Sequence, residues 1–111
     1  MKHISGVELI ADERIRQQTE EGWTPEHDDE HRLGELSMAG SAYADVASAM
    51  VRGASPEEFP AEMMLSEGDW PWDEEWWKPS PDPIRNLVKA GALIAAEIDR
   101  LQRAKTETAH A

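Results

Sequence analysis

From Asp82 onward the chain reads DPIRNLVKAGALIAAEIDRL, and no other stretch limits the fold as strongly. Ile84, Leu87, Val88, Gly91, Ile94, Ala95, Ile98 and Leu101 recur at intervals that line up side chains along one face of an α-helix. Asp82 can cap the first free amide groups, and Pro83 takes the first helical position, where its missing N–H costs nothing. A helix over about 83–104 is therefore predicted. Strand signals are absent throughout, so the class is all-α.

Two further helices follow from the same reasoning. Ser5 and Glu8 form a capping box, Ile4, Val7, Ala11 and Ile15 recur at helical spacing with Ile10 beside them, and Gly22 ends the segment, which predicts a helix over about 5–21. A second is predicted over about 28–52, capped by Asp28 or Asp29, with Leu33, Leu36, Ala39, Tyr43, Val46, Ala47 and Met50 as its stripe. Gly34 lies inside that span at a cost of about 1 kcal/mol relative to alanine. The small residues of AGSAYADVASA allow another helix to approach closely.

Between the second and third helices the pattern breaks. Six of the seven prolines fall at 56–83 and four of the five tryptophans at 70–77, so 53–81 reads as one long irregular insertion, with a short helical turn at Glu57–Leu65. Such loops are functional or disordered, and WPWDEEWWKP is too aromatic to favour disorder. The expected architecture is one domain over 1–111: a small bundle of three main helices, a Trp/Pro-rich loop, and a frayed polar tail at 105–111. A bundle of this size is marginal alone, so self-association as a dimer or tetramer is expected.

A net charge of −12 repels a phosphate backbone, so direct nucleic-acid binding is not expected. The acid can instead serve divalent cations that recruit a phosphorylated small molecule, or present a surface to a basic partner. Cysteine is absent, which removes disulfide and thiolate chemistry. MKHISGVELIADERIRQQ does not read as a signal peptide, and no apolar run is long enough to span a membrane, so a soluble cytoplasmic protein is expected.

The candidate chemistry is concentrated in GWTPEHDDEHRLGEL at 22–36. With a helix starting at Asp28, Asp28, His31 and Glu35 fall on one face. Carboxylates at that spacing can hold Mg²⁺ or Mn²⁺, and the imidazole tilts the site towards a transition metal. A solvated helix cap explains the same residues. His27 and Asp29 stand beside them, and Glu13, Gln17 and Glu20 share a face of the first helix, with Glu21 adjacent. Glu97 interrupts an apolar stretch and needs a cation, a partner or a raised pKa. It is either a metal ligand or base, or half of an ion pair with Arg14 or Arg52. Lys89 is a candidate phosphate contact. Trp70, Trp72, Trp76 and Trp77 can plug the bundle, stack on a base or anchor a protein partner, and Lys78 and Arg85 lie nearby.

EGWTPEHDDEHRLGEL, AYA, WPWDEEWWKP and LVKAGALIAAEIDRL, in that order over roughly 10–103, resemble small phage and bacterial proteins grouped with the MazG-like all-α nucleoside triphosphate pyrophosphohydrolases, including dATP/dGTP diphosphohydrolase-like proteins. The resemblance implies a helical oligomer that uses Mg²⁺ on helix carboxylates to split nucleoside triphosphates into monophosphate and pyrophosphate. The usual E-x-x-E and E-x-x-D signature is replaced here by Asp28-x-x-His31-x-x-x-Glu35 and by Glu97 with Asp99. On this reading Asp28, His31, Glu35 and Glu97 hold Mg²⁺ or Mn²⁺. Glu35, Glu97 and Lys89 are catalytic, and Lys89, Arg85, Trp72 and Trp76 bind the nucleotide. The alternative is a non-enzymatic acidic phage-type protein that binds a basic host partner as inhibitor or adaptor.

Overall fold

The computed structural model of the protein describes residues 4–110. Turns join five helices: α1 (Gly6–Thr19), α2 (Pro25–Asp28), α3 (Glu35–Val51), α4 (Ala61–Ser66) and α5 (Pro83–His110). Single 3-10 turns lie at Pro56–Glu58 and Glu74–Trp76. The described residues form no strand, and none of their helices is long and apolar enough to cross a membrane.

Local chemistry sets most boundaries. The Glu8 amide donates to Ser5 Oγ at 3.2 Å, which caps α1. The Ile84 amide donates to Asp82 Oδ1 at 2.9 Å, and Pro83 opens α5. That helix continues to His110, through the polar residues expected to fray; Ala111 lies outside the described residues.

The helix expected over 28–52 is in fact two. Thr24 accepts the His27 amide at 3.3 Å and Pro25 takes the first helical position, so a short turn ends at Asp28. Gly34 then caps α3 with φ +81°, a conformation that strains any residue with a side chain. The glycine read as a helix-interior cost is thus the helix start. Asp28, His31 and Glu35 consequently do not share a helix face.

The core lies between α3 and α5. Leu36, Ala39, Tyr43 and Val46 meet Ala90, Leu93 and Ala96, and Met64, Trp70 and Trp77 complete the cluster. A Cβ on Gly40 would stand 3.1 Å from both the Ala90 carbonyl oxygen and Ile94 Cγ1, so the two helices approach as closely as their small residues permit. The tryptophans are fixed by their polar edges: Trp77 Nε1 donates to the Phe59 carbonyl at 2.8 Å and Trp70 Nε1 to that of Asp73 at 3.1 Å. The segment 53–81 is therefore packed, not loose.

Much of the apolar stripes of the first and third expected helices faces outward, although Val88 is buried and Ile10 packs on Gly91. Ile84, Leu87, Ile94, Ile98 and Leu101 are exposed, because α5 turns its alanine face to the core. α1 crosses α5 at Gly91, where a Cβ would overlap Ile10 Cδ1 at 2.5 Å. Its buried face carries Glu13, Arg14 and Gln17, while Ile4, Val7 and Ile15 are exposed. The helix is docked by these polar groups together with Ile10 on Gly91.

Candidate functional site

The polar face of α1 and the tryptophan segment enclose a cleft. Its wide part, about 490 Å³, is lined by Trp23, His27, His31, Trp70, Trp72 and Asp73, among others. A narrow chamber of about 90 Å³ adds Glu13, Arg16, Gln17, Lys78 and Lys89. Glu21, Trp23, Tyr43, Trp76 and Leu93 line both, so the two form one cleft, aromatic at the wide end and charged at the narrow one.

Four rings link along the aromatic end. Trp23 stacks on His27 at 5.9 Å with planes 3° apart, His27 meets His31 edge-on at 5.0 Å, and His31 reaches Trp72 at 5.1 Å. Trp23 and Trp72 stand 6.5 Å apart at 55°. Trp72 is braced from behind by Trp70, edge-to-face at 5.4 Å. The Trp72 indole nitrogen is buried with no partner, which is unusual for a buried indole donor.

At the narrow end, Glu13 receives Arg16 through both its oxygens, at 2.8 and 2.9 Å, and Arg85 at 2.7 Å. Burial pushes the Glu13 carboxyl up, but the hydrogen bonds from Arg16 and Arg85 outweigh it and hold the group below the ordinary glutamate value of 4.5. A carboxyl with a lowered folded pKa stabilises the fold fully above that ordinary value, and the contribution is lost as pH falls through the folded value. Glu13→Gln is therefore expected to cost about 2 kcal/mol at neutral pH. Thermal melts should then show a wild-type advantage at pH 7 that shrinks at pH 3; a constant difference would contradict it.

Lys89 donates to the Lys78 carbonyl at 2.8 Å and lies 5.2 Å from the centre of the Tyr43 ring. Burial pushes its ammonium below the usual lysine range, and the Arg85 charge adds to the effect. The Lys78 ammonium sits over Trp76 at 5.5 Å. Among the described residues neither lysine has a carboxylate at ion-pairing distance.

The residues singled out by sequence divide accordingly. Trp72, Trp76, His31 and Lys89 line the cleft, while Arg85 stands behind its wall on Glu13. Asp28, Glu35 and Glu97 lie elsewhere. Asp28 is fully buried and bound by Arg14 at 2.6 Å and His27 at 3.1 Å. Glu35 accepts the Leu33 amide at 2.6 Å and is 3.6 Å from His31. Glu97 pairs with Arg100 at 2.5 Å, not with Arg14 or Arg52. No group of three or more His, Asp or Glu among the described residues is placed to hold a metal ion. Asp28 is held by Arg14 and Glu97 by Arg100, while His31 and Glu35 face each other, so the four expected ligands are not gathered at one point. Trp23, His27 and Tyr43 enter the site instead, and the stacked pair Trp23–His27 follows from the T-P turn that sequence spacing passed over.

The chain matches no family model, no curated protein and no solved structure.

Proposed function

We propose that the protein binds a nucleotide in this cleft, with the base against Trp23 and Trp72 and the phosphates towards Lys78 and Lys89. One observation carries the reading. In a chain of net charge −12, two ammonium groups without acidic partners among the described residues stand at the narrow end of an aromatic cleft. Every base offers a face for stacking, and an anion satisfies the lysines. The reaction that the resemblance implies for such a ligand is pyrophosphohydrolysis of a nucleoside triphosphate with magnesium or manganese, and turnover is a question separate from binding.

Tryptophan fluorescence titrated with nucleoside mono- and triphosphates tests the reading. Saturable quenching is expected, and Trp72→Ala is expected to weaken it about 5- to 150-fold, since stacking is worth about 1–3 kcal/mol per base. Failure of every common nucleotide to bind would overturn the proposal and leave the acidic surface for a basic partner as the working alternative. The reading includes self-association through the exposed α5 stripe of Ile84, Leu87, Ile94, Ile98 and Leu101. Sedimentation at micromolar concentration checks it, and a monomer would remove that part.

A further inference from the structure

Gln17 lies in the middle of α1 and is 2 % exposed, yet half of its amide is unused. Its Nε2 donates to Glu13 Oε2 at 3.3 Å. That bond fixes which way the amide points, because a carboxylate oxygen can only accept. Its Oε1 is left buried with no partner, and Gln17 lines the narrow chamber. The other fully buried amide is treated differently. Asn86 Oδ1 accepts from the Ser80 amide at 2.7 Å and its Nδ2 donates to the Ser80 carbonyl at 2.9 Å. Asn86, which ties Ser80 to the start of α5, has both its amide atoms paired. Gln17 and Lys89 both line the narrow chamber.

A fully ionised phosphate brings only acceptors. Set against Gln17 Oε1 it would place lone pair against lone pair, so the lysines and the glutamine ask for different parts of a ligand. We propose that Gln17 is a specificity-determining residue, whose Oε1 accepts a hydrogen bond from a neutral O–H or N–H of the ligand, next to the anionic group drawn by Lys89. The inference rests on the nucleotide reading above and adds a requirement to it: the ligand must bring a donor. On a nucleotide the donor is either a sugar hydroxyl or an N–H of the base.

The test uses the intact protein and the four common deoxynucleoside monophosphates, which carry a single free sugar hydroxyl. The tightest binder is compared with its 3′-deoxy analogue and with an analogue methylated at the base N–H, on wild type and on Gln17→Met. One of the analogues is expected to bind wild type about 10–100-fold more weakly than the parent, since a site built around a hydrogen bond rejects a ligand that cannot make it. Gln17→Met is expected to bind parent and that analogue alike. Loss with the 3′-deoxy analogue identifies the sugar hydroxyl, and loss with the methylated one identifies the base. Equal binding of all three to wild type overturns the inference, as does a Gln17→Met that still discriminates. Should Gln17→Met fail to fold, the three ligands on wild type decide alone. Absence of binding by every parent nucleotide overturns the nucleotide reading itself, and so is distinct from binding that ignores the donor.

Discussion

Asp28→Ala is expected to destabilise the protein by about 3–5 kcal/mol, a large part of the total stability of a domain this size. Asp28 is wholly buried, and its carboxylate meets Arg14 Nη2 at 2.6 Å and His27 Nδ1 at 3.1 Å. Arg14 also donates to the Trp23 carbonyl at 3.4 Å, so one ion pair ties α1, the turn after it and α2 together. Removing the carboxylate strands a guanidinium that is already short of one partner at Nε. The size of the effect comes from that stranded charge more than from the attraction lost. The double change Arg14→Met with Asp28→Leu should accordingly cost clearly less than Asp28→Ala alone. Urea denaturation at neutral pH measures both, and a single-variant loss below about 1 kcal/mol would contradict the account.

Trp70→Ala should cost about 3–5 kcal/mol as well, by a different route. Trp70 is 3 % exposed and touches three aromatic neighbours, with ring centres 5.6 Å from Tyr43, 4.9 Å from Trp77 and 5.4 Å from Trp72. Its removal leaves a void between α3 and the tryptophan segment. Trp76, with 48 % of its surface exposed, is the internal comparison, and Trp76→Ala should leave the melting temperature nearly unchanged. Comparable losses for the two variants would show that the segment is not packed as described.

The contrast between these residues shows what sequence reading can reach. Ser5, Asp82 and Pro83 mark helix ends through bonds to residues two or three positions away, and such signals survive without any tertiary information. Leu36, Ala39, Tyr43 and Val46 are buried as their spacing implies, whereas Leu33, ahead of α3, is exposed. The start of the second helix is not where the aspartates point, because a stronger local instruction sets it: the Thr24–Pro25 pair followed by a left-handed Gly34. The outward stripes of α1 and α5 were illegible for a different reason. Periodicity identifies an apolar face but not its occupant, and here Trp70, Trp77 and Met64, remote in sequence, claim the core. The cleft shows the same divide. Spacing placed Glu13 and Gln17 on one face of the first helix, and composition drew attention to the tryptophans, but that these two surfaces meet is a long-range fact.

The docking of α1 by charges and amides has a bearing on how the molecule breathes. A helix held by apolar area loosens together with the whole core, whereas one held by Glu13, Arg14 and Gln17 can lift away as its own cooperative unit, more readily in salt or acid. Glu13 and Gln17, two of the residues that hold α1, also wall the narrow chamber. On the nucleotide reading, a ligand that fills the chamber would then also hold α1 in place.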